Sequence, residues 1–168
     1  IPVVFEGVND EEYAMKAAEN PLVTGIIEKL SVEKNIDMAL KVNPTADKVV
    51  AILDDSVTAD AERKNFYNSA ENYPELEFSE INAAELETAR LQQAISKVDD
   101  KTILIYIVMS KDGSGKQYTS DQAVRMVVNY SNVPVYRMVE AGIGDGLLGG
   151  NVVSMYKSGE IAAQMAMD

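Results

Sequence analysis

The run Thr102-Ile-Leu-Ile-Tyr-Ile-Val-Met109 carries no charged side chain and does not alternate apolar with polar residues. A strand with one wet face alternates with a period of two. A continuous apolar run rich in β-branched residues therefore reads as a central strand covered on both faces. Further β-rich runs lie at Val3–Val8, Val49–Leu53, Leu76–Ile81 and Val133–Val139, with a shorter one at Asn151–Met155. Helical segments fall between them at Asp10–Ala18, Val32–Val42, Thr58–Asn72, Ala84–Val98, Ser120–Tyr130 and Gly159–Met167. Asp10, Thr58 and either Thr119 or Ser120 stand where helix caps are wanted, and Pro44 and Pro74 follow helix ends. Strands alternating with helices through short connections imply parallel strands and right-handed crossovers. The expected fold class is α/β: a three-layer sandwich around a mostly parallel, Rossmann-like sheet. At 168 residues the chain reads as a single α/β domain, or as one lobe of a larger protein.

Composition then narrows the chemistry. His, Cys and Trp are absent, which removes the usual ligands of zinc, haem and iron–sulfur sites, together with His-based triads and thiol nucleophiles. The net charge is −12, and residues 1–100 hold 21 acids against 9 bases. Nucleic acid is a poor partner for such a chain, because phosphate binding needs a basic stripe. No apolar run approaches the roughly 20 residues needed to cross a bilayer. Lack of cysteine suits an oxidising exterior. The chain opens on Ile1-Pro2 inside an expected strand, so it reads as a processed or excised piece whose lack of a signal peptide carries no information on location.

Three motifs invite a sharper reading and fall short of it. Gly144-Asp-Gly-Leu-Leu-Gly149 matches the spacing of a dinucleotide-binding turn, but that mechanism needs a helix directly after it, and Asn151–Met155 reads as extended. The glycines are better explained as a tight crossing between sheet segments. Ser114-Gly-Lys116 lacks the first glycine and the closing hydroxyl of a phosphate loop. Lys48–Ser56 resembles the opening strand of a response-regulator receiver, ending in the acids Asp54 and Asp55, yet the acceptor position is Tyr106. For those two acids the plain alternative is a capped strand-to-helix turn. Ser110–Lys116 reads as a flexible loop at the carboxyl end of the most buried strand, where open α/β sheets place ligands.

The order of segments resembles one family. Ile1-Pro-Val-Val-Phe-Glu-Gly-Val-Asn9 resembles the strand near the lobe hinge of type I periplasmic binding proteins, the substrate-binding family of ABC transporters. The same module serves as the extracytoplasmic sensor of some histidine kinases and diguanylate cyclases. Asn20-Pro-Leu-Val-Thr-Gly-Ile-Ile-Glu28 is similar to that family's entry into the second lobe, and Ile36–Pro44 followed by Lys48–Ser56 to its helix, proline turn and strand. Ser131-Asn-Val-Pro-Val-Tyr136, Gly144–Ser154 and Gly159–Ala163 are similar to its closing segments, with Asp145 where the sensor version has His.

The resemblance covers nearly the whole chain and implies the second lobe plus hinge segments of a two-lobed protein whose first lobe is missing. It implies a non-catalytic module that binds a small molecule, an amino acid or similar solute, in a cleft whose closure is the output. The ligand candidates it carries over are Glu6 and Asn9 at the hinge strand, Thr24 at the lobe entry, and Asp54, Asp55 and Ser56 at one strand end. Ser110 lies at another strand end, and Tyr136, Glu140 and Asp145 lie near the final crossing. Thr24 also fits a turn cap, and Tyr136 a half-buried strand aromatic. No cofactor or metal is implied. The implied partners are a membrane permease or a kinase or cyclase output module, an extracytoplasmic setting, and a homodimer formed through surface that the other lobe would cover. Two other classes stay open: a degenerate receiver-like regulatory domain, and a Mg²⁺-dependent enzyme using Asp54 and Asp55.

Overall fold

The computed structural model describes residues 1–167, which pack as two units: Ile1–Leu30 with the segment from Val153 onward, and Ser31–Val152.

The larger unit holds helix α2 (Val32–Val42), strand β3 (Lys48–Leu53), helix α3 (Val57–Ser69), strand β4 (Glu77–Asn82), helix α4 (Thr88–Ser96), strand β5 (Thr102–Tyr106), helix α5 (Ser120–Tyr130) and strand β6 (Val135–Arg137). Its four strands form a wholly parallel sheet in the order β4-β3-β5-β6. Chain order and strand order together fix the layers. The β3-to-β4 crossover runs one way along the sheet, while β4-to-β5 and β5-to-β6 run the other. Right-handed connections then put their helices on opposite faces. Helix α3 packs beside α2, and α4 beside α5, giving the expected three-layer α/β sandwich. All five residues of β5 are buried, as its unbroken apolar run requires. Ile52, Leu91, Ile95, Leu104, Val124 and Val127 are among the side chains of one core cluster beneath α4 and α5.

The smaller unit holds strand β1 (Val3–Val8), helix α1 (Glu11–Ala17), strand β2 (Val23–Ile27) and helix α6 (Met155–Met167). The two strands pair in parallel, and α6 packs on both. Helix α1 buries only Ala14 and α6 buries nothing, while Tyr13, Met15, Leu22, Tyr156 and Met167 are exposed.

Several boundaries differ from the sequence expectation, each for a local reason. Asn151–Met155 is not a strand: Ser154 accepts the Lys157 amide through its hydroxyl and the Ser158 amide through its carbonyl, so α6 starts at Met155. The helix expected over Ala84–Val98 is interrupted, because Asn82 caps a single 3-10 turn at Ala83–Glu85 and Leu86 is extended before α4 begins. Helix α3 is capped by Ser56 rather than Thr58. Strand β2 was not foreseen at all.

Candidate functional site

In an open parallel sheet, neighbouring strands whose connections leave in opposite directions open a crevice at their carboxyl ends, and ligands bind there. Here that point lies between β3 and β5, whose ends are level because Ile52 registers with Tyr106. Asp54 follows β3 directly and is fully buried. Its Oδ1 accepts the Ser56 amide at 3.0 Å, the short Asx-type turn that leads into α3. Its Oδ2 accepts the Ser110 amide at 2.7 Å and the Ser110 hydroxyl at 2.5 Å. Burial pushes the carboxyl up, but the donors on Ser110 and Ser56 outweigh it and hold Asp54 below the ordinary carboxylate range. Three candidates, Asp54, Ser56 and Ser110, are thus joined across the switch point.

Asp55 turns outward instead. Its carboxylate pairs with Lys111 at 3.1 Å, with about half of each side chain exposed (53% and 47%). The two adjacent acids therefore do not act as a pair: one is enclosed and saturated by donors, the other lies at the rim in an ion pair. Arg63 of α3 braces the turn from behind, donating to the Asp54 carbonyl at 2.8 Å and, through Nε, to Glu80 of β4 at 3.0 Å.

The loop after β5 is not a loose surface turn. Asp112 is 2% exposed and accepts five hydrogen bonds. Oδ1 takes the Ser114 amide (3.0 Å), the Ser114 hydroxyl (2.6 Å) and the Lys116 amide (3.1 Å). Oδ2 takes the hydroxyls of Thr88 (2.5 Å) and Tyr118 (2.7 Å). Burial opposes ionisation, yet the hydroxyls of Ser114, Thr88 and Tyr118 lower the carboxyl far below its usual range. The next residue seals the loop onto the α4 side: Gly113 donates its amide to the Leu86 carbonyl at 2.8 Å, and a Cβ there would lie 2.8 Å from the Leu86 nitrogen. Gly113→Ala is accordingly expected to cost about 2 kcal/mol, since backbone cannot give way as a side chain can. An unchanged urea midpoint would show that the loop does not rest on Leu86.

The end of β6 carries the remaining candidates of this unit. Tyr136 lies inside the sheet, 4% exposed and opposite Ile105, and burial raises its phenol. It fills the place of a strand aromatic and offers no open face. Arg137 beside it is nearly buried, stacks 4.5 Å from the Tyr106 ring and donates to the carbonyls of Tyr106 and Ile107, tying β6 to the end of β5. Glu140 and Asp145 are exposed in the turns that follow. Gly144 and Gly146 have φ of +93° and +107°, and Leu148 returns to bridge Tyr136, so the glycine-rich stretch is a tight crossing. No helix opens directly after it, and the dinucleotide mechanism therefore has no anion-binding helix end here.

The other three candidates belong to the smaller unit. Glu6 is exposed on β1 beside Gly159, Asn9 is half-buried just past that strand, and Thr24 is exposed on β2 opposite Val4. Thr24 caps no turn. Residues that the sequence reading missed are Asp112 with Thr88 and Tyr118, and the two arginines Arg63 and Arg137. An Asp-Gly-Ser-Gly string is a turn signal that pointed to Asp112, whereas the arginines have no local signature. Among the described residues no group of three or more carboxylates could hold a metal ion, and no helix is long and apolar enough to cross a membrane. Comparison with family models, with curated proteins and with solved structures finds no match.

Proposed function

We propose that this chain is a small-molecule-binding or sensing module whose ligand lies at the carboxyl edge of the β3–β5 switch point, on a surface formed by Asp55, Ser110 and Lys111. The observation that carries the reading is the Asp54 clamp. It fixes the ends of two central strands, holding Ser110 by its amide and hydroxyl, and so positions the neighbouring Asp55–Lys111 pair at the place where open α/β sheets take ligands. The residues there supply complementary charges and hydroxyls but no nucleophile–base pair, which favours binding over catalysis.

The order of segments favours an extracytoplasmic protein of the periplasmic binding type, coupled to a permease or to a kinase or cyclase module. In that reading another lobe of the same protein completes the smaller unit. A two-stranded sheet is marginal alone, and parallel sheets are ordinarily covered on both faces, whereas Val3 of β1 and Tyr156, Ile161 and Met167 of α6 are exposed. In the absence of that lobe, self-association through β1 or the glycine-rich end is the corresponding expectation for the isolated chain. A single monomeric mass over a wide concentration range in light scattering would count against it.

A thermal-shift screen of amino acids and related solutes tests the binding reading, on this chain and on the protein extended upstream of Ile1. A ligand present at about 100 times its Kd stabilises the native state by about 2.7 kcal/mol, a rise of a few degrees. The rise is expected to vanish in Asp55→Ala and Lys111→Ala, whose side chains are too exposed to matter for folding. A ligand whose shift survives both substitutions would place its site elsewhere. No shift from any solute with the extended protein would sink the proposal.

A further inference from the structure

A second surface lies along the face of α5, starting at the return of the loop whose Tyr118 amide donates to the Ser110 carbonyl at 2.8 Å. It is an open groove of about 260 Å³ running from Lys116 and Tyr118 past Gln122, Arg125 and Met126 to Tyr130, with Gln92 of α4 as its other wall. We infer that it is a docking site for an acidic peptide segment of a partner protein with an apolar or aromatic anchor. It does not depend on the ligand reading above.

Charge comes first. The chain holds 27 acids against 15 bases, yet the lining of this groove contains two cations and no carboxylate. Arg125 forms no ion pair among the described residues. Arg125 also lines a neighbouring depression together with Asp121 and Asp145, though it pairs with neither among the described residues. Lys116 is held at the head of the groove with its Nζ 4.8 Å from the centre of the Tyr118 ring. That ring is itself fixed by its hydroxyl on Asp112 at 2.7 Å. The positive end is therefore preorganised, and a partner's carboxylate would not have to order it.

The apolar part has the makeup of a binding face. Tyr, Met and Arg are the residue types enriched where protein interfaces concentrate their energy, and Asp and Glu are depleted there. Met126, 7% exposed, forms the floor, and Tyr130, 40% exposed, stands at the tail. Shape selects the occupant. The groove is smaller than the roughly 300–1,000 Å³ of metabolite pockets and is not enclosed. It follows one face of a helix, the geometry in which a partner helix lays down anchors at helical spacing.

The experiment is fluorescence anisotropy on the full chain. The probe is a fluorescein-labelled peptide of about twelve residues with Leu and Phe at helical spacing among glutamates. Saturable binding that weakens with salt is expected. The double variant Lys116→Glu/Arg125→Glu is expected to lose about tenfold or more in affinity, and Tyr130→Ala severalfold. All three side chains are exposed, and an unchanged melting temperature is the control for folding. Arg125→Glu alone serves if the double variant melts early. Equal affinity in the variants overturns the proposal, as does equal binding of the matching lysine peptide. Phenylacetate competing at the peptide's own concentration would make the groove a small-molecule site and overturn it too.

Discussion

Asp112→Ala is expected to lower the unfolding free energy by about 3 kcal/mol, with Asp112→Asn costing only about 1 kcal/mol. The difference follows from who faces each oxygen. Oδ1 accepts two backbone amides and a hydroxyl, and an asparagine oxygen can do the same. Oδ2 faces only the hydroxyls of Thr88 and Tyr118, which can rotate to accept from an asparagine NH₂. Asparagine thus preserves the count of hydrogen bonds and loses only their charge assistance, whereas alanine leaves five donors without their shared acceptor. Urea denaturation of the three proteins measures this. If both substitutions cost the same, the rotating-hydroxyl account is wrong. The acid limb offers a second readout. The folded carboxyl lies far below its unfolded value, so its contribution is fully present above about pH 4 and is lost as pH falls further. Asp112→Asn removes that part of the acid dependence and flattens the limb.

Legibility from sequence followed the range of the forces involved. Helices α2 and α5 were bounded to the residue, because their apolar spacing and end signals are local. The buried strand β5 announced itself by composition, and the layer architecture followed from alternation. Strand β2 did not, since Val23–Ile27 is short and interrupted by Gly25, and it is held by pairing with β1 rather than by pattern. Asn151–Met155 forms no ladder: residues 151–154 stay outside any helix or strand with a single bridge residue at Val153, and the cap at Ser154 starts α6 at Met155. At the site, Asp54 and Ser110 were both singled out, yet nothing in the sequence joins residues 56 apart. Only the strand order puts the two ends side by side. The same holds for Asp112 and Thr88, 24 apart, where a turn-like string concealed a clamp. Reading Asp54 and Asp55 as one unit was reasonable from adjacency. Successive residues at a strand end point in opposite directions, which separates them physically.

At Asp54 the opposite pattern is expected: Asp54→Asn should cost nearly as much as Asp54→Ala, about 3–4 kcal/mol each. Backbone amides meet both oxygens here, Ser56 on Oδ1 and Ser110 on Oδ2. A backbone N–H cannot turn round to accept. Whichever way an asparagine is placed, its NH₂ faces an amide donor in a fully buried position, and that donor is left unmade. The folded carboxyl is lowered, so its stabilisation is complete above about pH 4 and declines as pH falls through the folded value. Between pH 7 and pH 5 the wild-type midpoint should therefore not move on account of this group. Denaturation midpoints at pH 7 for wild type, Asp54→Asn and Asp54→Ala settle the point. An asparagine variant near wild-type stability would mean that the Ser110 amide is not held by this carboxylate, and that the ends of β3 and β5 are joined by some other contact. Because the same clamp holds Ser110 and with it the adjoining Lys111, both variants are also expected to lose the ligand-induced thermal shift, even at temperatures where they remain folded.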